Sequence, residues 1–322
     1  MEKVVAAVDL GGTNLRVALV ARDGRLVWRK STPTLAQEGE KAVFERLVSA
    51  LRDAVGQAGG RQVVGMWIGI AGPVRQPEGI VASTPNLRGW DNVPLKSLLE
   101  SRFSFPIRIE NDANLAALGE HRYGAGRGTR HMIYITVSTG IGGGVISCNK
   151  LLNGADGFAS EIGHIKVMLD GPKCNCGGRG CVEALASGSG MVMRAQEAIG
   201  AGRARLLAGA DHITTEMVIE AARRGDSVAR GVVDTAINAL GHGIASLLHL
   251  FNPEMVVIGG GVSQSWDQVI EPVIPRVAQL VMMPEFARRV RIVRAQLGDA
   301  PVLLGAAALF EEVFDLVPSD ML

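Results

Sequence analysis

The chain has 322 residues, of which 47% are hydrophobic and 20% charged, so it is long enough for two domains with cores of their own and too apolar for a disordered chain. Its 33 basic and 32 acidic residues leave a net charge of +1, which excludes the basic surplus expected of a nucleic-acid or membrane-surface binder. No apolar run approaches the roughly 18 residues of a membrane-spanning helix, the N-terminus lacks a signal-peptide pattern, and four cysteines without a disulfide framework fit a reducing, cytoplasmic setting.

In chain order, Val4–Val8 and Leu15–Ala21 are apolar runs joined by Asp9-Leu10-Gly11-Gly12-Thr13-Asn14, and they predict strand, turn, strand. A dinucleotide or P-loop fingerprint needs a helix straight after its glycines; here Asp23-Gly24 brings another turn instead, so the glycines belong to a hairpin. Residues 37–57 predict a helix from apolar positions Val43, Leu47, Leu51 and Val55. Val63–Ile70 predicts a buried strand leading to Gly72, and Pro106–Ile109 a short strand running into Glu110-Asn111-Asp112 and a helix over Ala113–His121. The pattern then restarts: a strand over Met132–Ser138, a second glycine turn over Thr139–Gly144, and a strand over Val145–Cys148 in which Cys148 is a small core residue. Helices follow at Ser187–Ala198, Met217–Ala222 and Ser227–His249, then a strand at Glu254–Ile258 entering Gly259-Gly260-Gly261, and helices at 266–280 and 301–315.

A unit of hairpin, strand and helices used twice predicts two similar α/β lobes facing one cleft. Each glycine turn would offer backbone N–H groups to that cleft, and two such concavities could hold a polyphosphate between them.

Between Glu161 and Glu183 lie His164, Cys174, Cys176 and Cys181, a Cys3His set suited to a tetrahedral metal, zinc above all. An iron–sulfur cluster wants four thiolates, and only Cys148 remains. Four protein ligands leave no open coordination position, so the metal's expected role is structural: it holds the loop that carries Glu161, His164 and Glu183. The remaining histidines, His121, His131, His212, His242 and His249, show no partner pattern and are taken as structural.

The segments Asp9–Asn14, Thr84-Pro85-Asn86-Leu87, Glu110–Asn114, Ser138–Gly144, Glu161–His164, the cysteine run ending at Glu183, and Gly259–Gly261 occur in one order along the chain. In this the sequence resembles the ROK family of sugar kinases and repressors, with its nearest likeness among the bacterial ATP-dependent glucokinases. Ser138 stands where a common family pattern has glycine; its hydroxyl can still lie beside phosphate. The resemblance implies an actin-like ATPase fold, hexokinase-type and ribonuclease H-like: an α/β chain with lobes 1–112 and 113–301 and a last helix, about 302–322, packed back on the first lobe. The repressor branch carries a helix-turn-helix segment ahead of the first glycine turn, and only eight residues precede Asp9, so none is expected here.

The resemblance also implies roles. Asp112 would be the general base that takes the proton from a sugar hydroxyl; its local alternative is a helix N-cap. Asp9, Gly11, Gly12, Thr13, Asn14, Thr139, Gly140, Gly259, Gly260 and Gly261 would hold ATP, with Asp9 also placing Mg2+. Gly72, Asn86, Asn111, Asp112, Glu161, His164 and Glu183 would hold the sugar. The implied reaction is ATP-dependent phosphorylation of a hexose, D-glucose first, with fructose, mannose, allose, N-acetylglucosamine and N-acetylmannosamine as alternatives. A sugar sensor without turnover is the reading from another class. Hexose and ATP are the expected partners, with no nucleic acid or membrane, in a homodimer or homotetramer.

Overall fold

The computed structural model describes residues 1–84, 86–202, 207, 210 and 212–309. Strands β1 (Lys3–Leu10) and β2 (Asn14–Ala21) form the first hairpin, with Asp9 opposite Arg16, and β3 (Leu26–Pro33) adds an outer antiparallel strand. Helix α1 (Glu40–Gly56) carries the chain across to β4 (Gln62–Ile70), which lies parallel to β1. A parallel neighbour demands such a crossover, because no tight turn can bring the chain back in the same direction. A small sheet of β5 (Val74–Arg75), β6 (Ile80–Ser83) and β7 (Asp91–Val93) and helix α2 (Leu95–Glu100) then lead to β8 (Ile107–Asn111), parallel to β4. β8 enters α3 (Asp112–Tyr123) without a loop.

The second sheet repeats the first. β9 (Met132–Val137), β10 (Ile141–Ser147) and β11 (Lys150–Leu151) are antiparallel. After α4 (Val182–Ala186), α5 (Gly188–Gly200), α6 (Thr215–Arg223) and α7 (Ser227–Phe251), β12 (Met255–Gly259) returns parallel to β9. Helices α8 (Val273–Leu280) and α9 (Pro284–Arg289) precede β13 (Arg291–Arg294), and α10 (Pro301–Ala308) follows it. The strand orders, β3-β2-β1-β4-β8 and β11-β10-β9-β12-β13, are the same topology used twice. This two-sheet α/β architecture is that of the actin, hexokinase and ribonuclease H-like folds, as the resemblance implied.

Alternation along the central strands explains the layering. Val4, Ala6, Val8 and Leu10 face one core with α1, while Val5 and Ala7 face another. Ile133 and Ile135 of β9 turn toward α4 to α8, and Met132 and Tyr134 turn the other way. The shared middle layer is α3 and α10, packed between the inner faces of both sheets. The two helices meet backbone to backbone, because a Cβ at Gly305 would overlap the Leu115 carbonyl oxygen and one at Gly119 that of Pro301.

Several elements differ from the sequence reading. β3 is a further strand: its half-exposed Leu-Val-Trp-Arg-Lys-Ser-Thr-Pro carries the charges and proline of a sheet edge, which hide the alternation. The second glycine segment is a turn only over Ser138–Gly140; Gly142, Gly143 and Gly144 lie inside β10. Gly142 and Gly144 lie under α3, with an added Cβ at Gly144 only 2.6 Å from Ala117 Cβ, while Gly143 faces the other side of the strand, where a Cβ would overlap the Ile162 side chain. Ser187 breaks the helix expected over 187–198 from α4 and caps α5, accepting from Gly190 N at 3.0 Å. Over 266–280, Trp266–Ile270 is a π-helical turn and α8 begins only after Pro272. The helix expected over 301–315 is seen as α10, and its residues past 309 lie outside those described. Cys148 is exposed rather than core: with φ of 50° there and 66° at Asn149, the pair makes the tight turn between β10 and β11. Among the described residues no helix is long and apolar enough to cross a membrane.

Candidate active site

The glycine turns and the start of α3 lie at the ends of β1, β9 and β8, where parallel strands deliver their carboxyl termini. Asn111, not Asp112, is the cap of α3: its Oδ1 accepts from Ala113 N at 2.9 Å and Asn114 N at 3.1 Å. Its Nδ2 donates to the Gly72 carbonyl at 3.0 Å, so one side chain both starts the helix and ties it to the loop after β4. Asp112 is therefore the first helical residue, and its Oδ1 accepts from Ala113 N at 2.8 Å. Burial, and after it the charge of Asp9, push the Asp112 carboxyl up to about 7, against the pull of the Ala113 N–H; Glu161 adds to the rise. A carboxyl that titrates near neutrality is suited to taking up a proton. Behind it, the buried Glu110 accepts from Asn111 N at 2.9 Å and Asn114 Nδ2 at 3.0 Å, and burial raises its carboxyl as well.

Asp9 is the penultimate residue of β1, buried, with Oδ2 accepting from Arg16 Nη1 at 2.6 Å across the hairpin. Burial pushes its carboxyl up, and the Arg16 contact opposes that rise. In the turn, Gly11 N donates to Asn14 O at 3.0 Å, while the amides of Gly12 and Thr13 meet no acceptor among the described residues. Asn86 lies over this turn: a Cβ at Gly12 would fall 2.8 Å from Asn86 Cβ. Gly72 has φ of 117° and its Cβ would overlap Ser83 O, so only glycine brings that backbone so close.

In the second turn Ser138 N donates to Gly140 O at 2.9 Å, and α5 pins the turn from behind through Gly188 N to Ser138 O at 2.7 Å and Ser189 Oγ to Thr139 O at 2.7 Å. A cavity of about 350 Å³ opens beside it, lined by Ser138, Thr139, Ser189, Thr214, Glu216 and Gly261, among others. Of the glycine trio only Gly261 faces this space. Gly259 closes β12 against Tyr134 Oη, and Gly260, at φ of 89°, lies on the Val137 carbonyl. His212 also lines the cavity. Ser189, Thr214 and Glu216 were not legible in the sequence as lining this cavity. They occupy the first turns of α5 and α6, where Ser, Thr and Glu are expected for capping alone, and Thr214 does cap α6.

The loop between Glu161 and Glu183 brings His164, Cys174, Cys176 and Cys181 together, with all four candidate ligand atoms within 4.8 Å of one another. His164 Nδ1 is 3.7 Å from Cys174 Sγ, and Cys176 Sγ is 3.6 Å from Cys181 Sγ. A tetrahedral ion with bonds of about 2.3 Å to sulfur needs ligand separations of ~3.7 Å, so the donor set fits one. The same loop reaches the rest of the site. Glu183 Oε1 lies 3.7 Å from Cys174 Sγ, while its Oε2 accepts from Ile141 N at 2.9 Å, just past the second turn. Glu161 Oε2 is 4.0 Å from His164 Nε2, and burial raises the Glu161 carboxyl against the pull of that imidazole.

The family model described as "ROK family" matches residues 5–313. A glucokinase of Thermotoga maritima is 37% identical over 309 residues, covering 95% of this chain and 96% of that protein. A protein named putative xylose repressor, from a Caldicellulosiruptor species, is 32% identical over 325 residues, covering 99% of this chain and 79% of its own length. Among solved structures, a ROK family glucokinase from Streptomyces griseus in complex with glucose and AMPPNP is 37% identical with a TM-score of 0.77, over 95% of this chain and 98% of that one.

Proposed function

The chain belongs to the ROK family, and we propose that it is an ATP-dependent kinase of hexoses, with D-glucose as preferred acceptor and glucose 6-phosphate as product. The observation that carries this reading is Asp112, a carboxyl titrating near neutrality at the start of α3, within electrostatic reach of both Asp9 and Glu161. Those two residues stand at the first glycine turn and on the Glu161–Glu183 loop.

In this reading the sugar lies against the Glu161–Glu183 loop. Asn86, Asn111, Glu161, His164 and Glu183 meet its hydroxyls, and the Gly72 backbone approaches it closely. A hydroxyl of the wrong stereochemistry would leave one of these groups unpaired in a water-poor site, which is how such a set selects among sugars. ATP lies across the two turns, with its phosphates on Gly11, Gly12, Thr13, Asn14, Thr139 and Gly140 and its nucleoside toward Gly261. Asp9 would help hold Mg2+, which neutralises phosphate charge when bound. Asp112 takes the proton of the sugar hydroxyl as that oxygen forms its bond to the γ-phosphorus and the bond to the β-phosphate oxygen breaks. The protein's share is positioning and charge stabilisation. The lobes that close over the pair are residues 1–112 and 113–301. Zinc on His164, Cys174, Cys176 and Cys181 would supply loop geometry and no chemistry, since its four ligands leave no open position.

The repressor among the relatives supports one other reading, a sugar-binding regulator without turnover. A coupled ADP-release assay over glucose, fructose, mannose, allose, N-acetylglucosamine and N-acetylmannosamine separates these possibilities. Fastest turnover with glucose is expected. Another preferred sugar would move the acceptor assignment, and sugar binding without ADP release from any of them would replace the kinase reading by the regulator.

A further inference from the structure

The candidate metal ligands have a fifth neighbour that a closed ligand set does not require. Lys166 follows His164 by two residues, and its backbone pairs with that of Cys181 in an isolated antiparallel bridge. Residues directly opposite in such a pair project on the same side, so the lysine side chain lies along the cysteine's. Its Nζ is 2.8 Å from Cys181 Sγ and 3.9 Å from Cys176 Sγ, against one edge of the four-ligand cluster. Gly178 leaves the room: a Cβ there would fall 2.8 Å from Nζ.

The charge balance gives this contact a purpose. Three thiolates and one divalent ion sum to −1, on a loop where Cys176 is exposed to solvent. An ammonium at hydrogen-bond distance from sulfur cancels the net charge of the ion and its four ligands, with the Glu183 and Glu161 carboxylates on the other side, beside Cys174 and His164. The ammonium's N–H donation also draws electron density from the thiolate, making it a poorer nucleophile toward electrophiles and oxidants. We propose that Lys166 is a positioning residue of the metal centre, an outer partner whose ammonium cancels the net charge of the ion and its ligands and shields the Cys181–Cys176 edge from attack, so that the loop keeps its zinc. The inference rests on the metal reading of the cluster, and on geometry and fixed charge alone.

The experiment compares the full chain with Lys166→Met and Lys166→Arg. Zinc content is measured first on each purified protein. Zinc release to a chromophoric chelator is then followed with and without N-ethylmaleimide. In that reaction a thiolate adds across the maleimide double bond, its bond to zinc breaks, the ion passes to the chelator, and water supplies the proton. We expect Lys166→Met to release zinc ~10-fold faster or more, the scale of outer-shell losses at metal sites. In the cobalt-substituted protein the thiolate-to-cobalt charge-transfer band should move to lower energy. Lys166→Arg should stay near wild type in both. Wild-type release rates and an unchanged band in Lys166→Met would overturn the role of Lys166, and slower release would do so too, by making the amine a competitor of the metal. A wild-type protein without zinc would overturn the metal reading itself, and this inference with it.

Discussion

At the scale of single residues, the division of labour between Asn111 and Asp112 is what a side chain's chemistry leaves open. Either residue type caps helices well, and only the fold shows that Asn111 accepts both first-turn amides and frees Asp112 of that task. Replacing Asp112 by Asn should lower kcat by ~10²–10⁴ while the dissociation constant for glucose, measured by calorimetry, stays near wild type. For the intact enzyme kcat/KM should rise with pH through about 7 and then level, because the base works only when ionised. Stability carries the opposite sign. The folded carboxyl is raised above its unfolded value, so its contribution is fully present below that unfolded value and is lost as pH rises through about 7. Without ligands, Asp112→Asn should therefore melt at a higher temperature than wild type at pH 8, with the gap closing toward pH 4.

At the scale of elements, glycine carried two messages that look alike in sequence. Gly11 and Gly12 do form a turn, but Gly142–Gly144 are strand residues, Gly142 and Gly144 stripped for the passage of α3 and Gly143 for Ile162 on the other face, and nothing local distinguishes the cases. The same physics governs the α3–α10 crossing. Gly305→Ala would drive a methyl group into the Leu115 carbonyl and should cost about 1–3 kcal/mol in urea unfolding, like other overpacked sites. The Glu161–Glu183 loop is held at its ends by Ile162 and Val182 in the second sheet's core and by Val182 N donating to Ile165 O. Cys174 and Cys181, with Ala184, form a small cluster apart from the main cores, and Glu183 bonds the loop to the residue after the second glycine turn. Stripping the metal with a chelator should raise the KM for glucose several-fold or more before it changes the KM for ATP, a split that steady-state kinetics with either substrate varied will read.

At the scale of the whole molecule, the doubled sheet topology puts one glycine turn at the end of the first strand of each sheet, and the buried α3–α10 layer is what both sheets share. Under the proposed function, the lobes are expected to close around sugar and nucleotide. Small-angle scattering should show a decrease in radius of gyration when glucose and a non-hydrolysable ATP analogue are added together, and less with the analogue alone; unchanged profiles would mean that the sheets already stand at their catalytic distance.

The duplication, the buried strands, the cluster spacing His164-Cys174-Cys176-Cys181 and the Glu110-Asn111-Asp112 segment were determined by the amino-acid sequence itself, because hydrophobic period, glycine freedom and ligand spacing act over a few residues. Tertiary structure alone decided that Asp112 shares its field with Asp9 and Glu161, that Glu183 holds Ile141, that Gly261 and not Gly259 faces the cavity, and that Lys166 leans on Cys181. Each of these depends on burial or on a partner far away along the chain. Desolvation and charge act through space, and only the packed chain sets those distances.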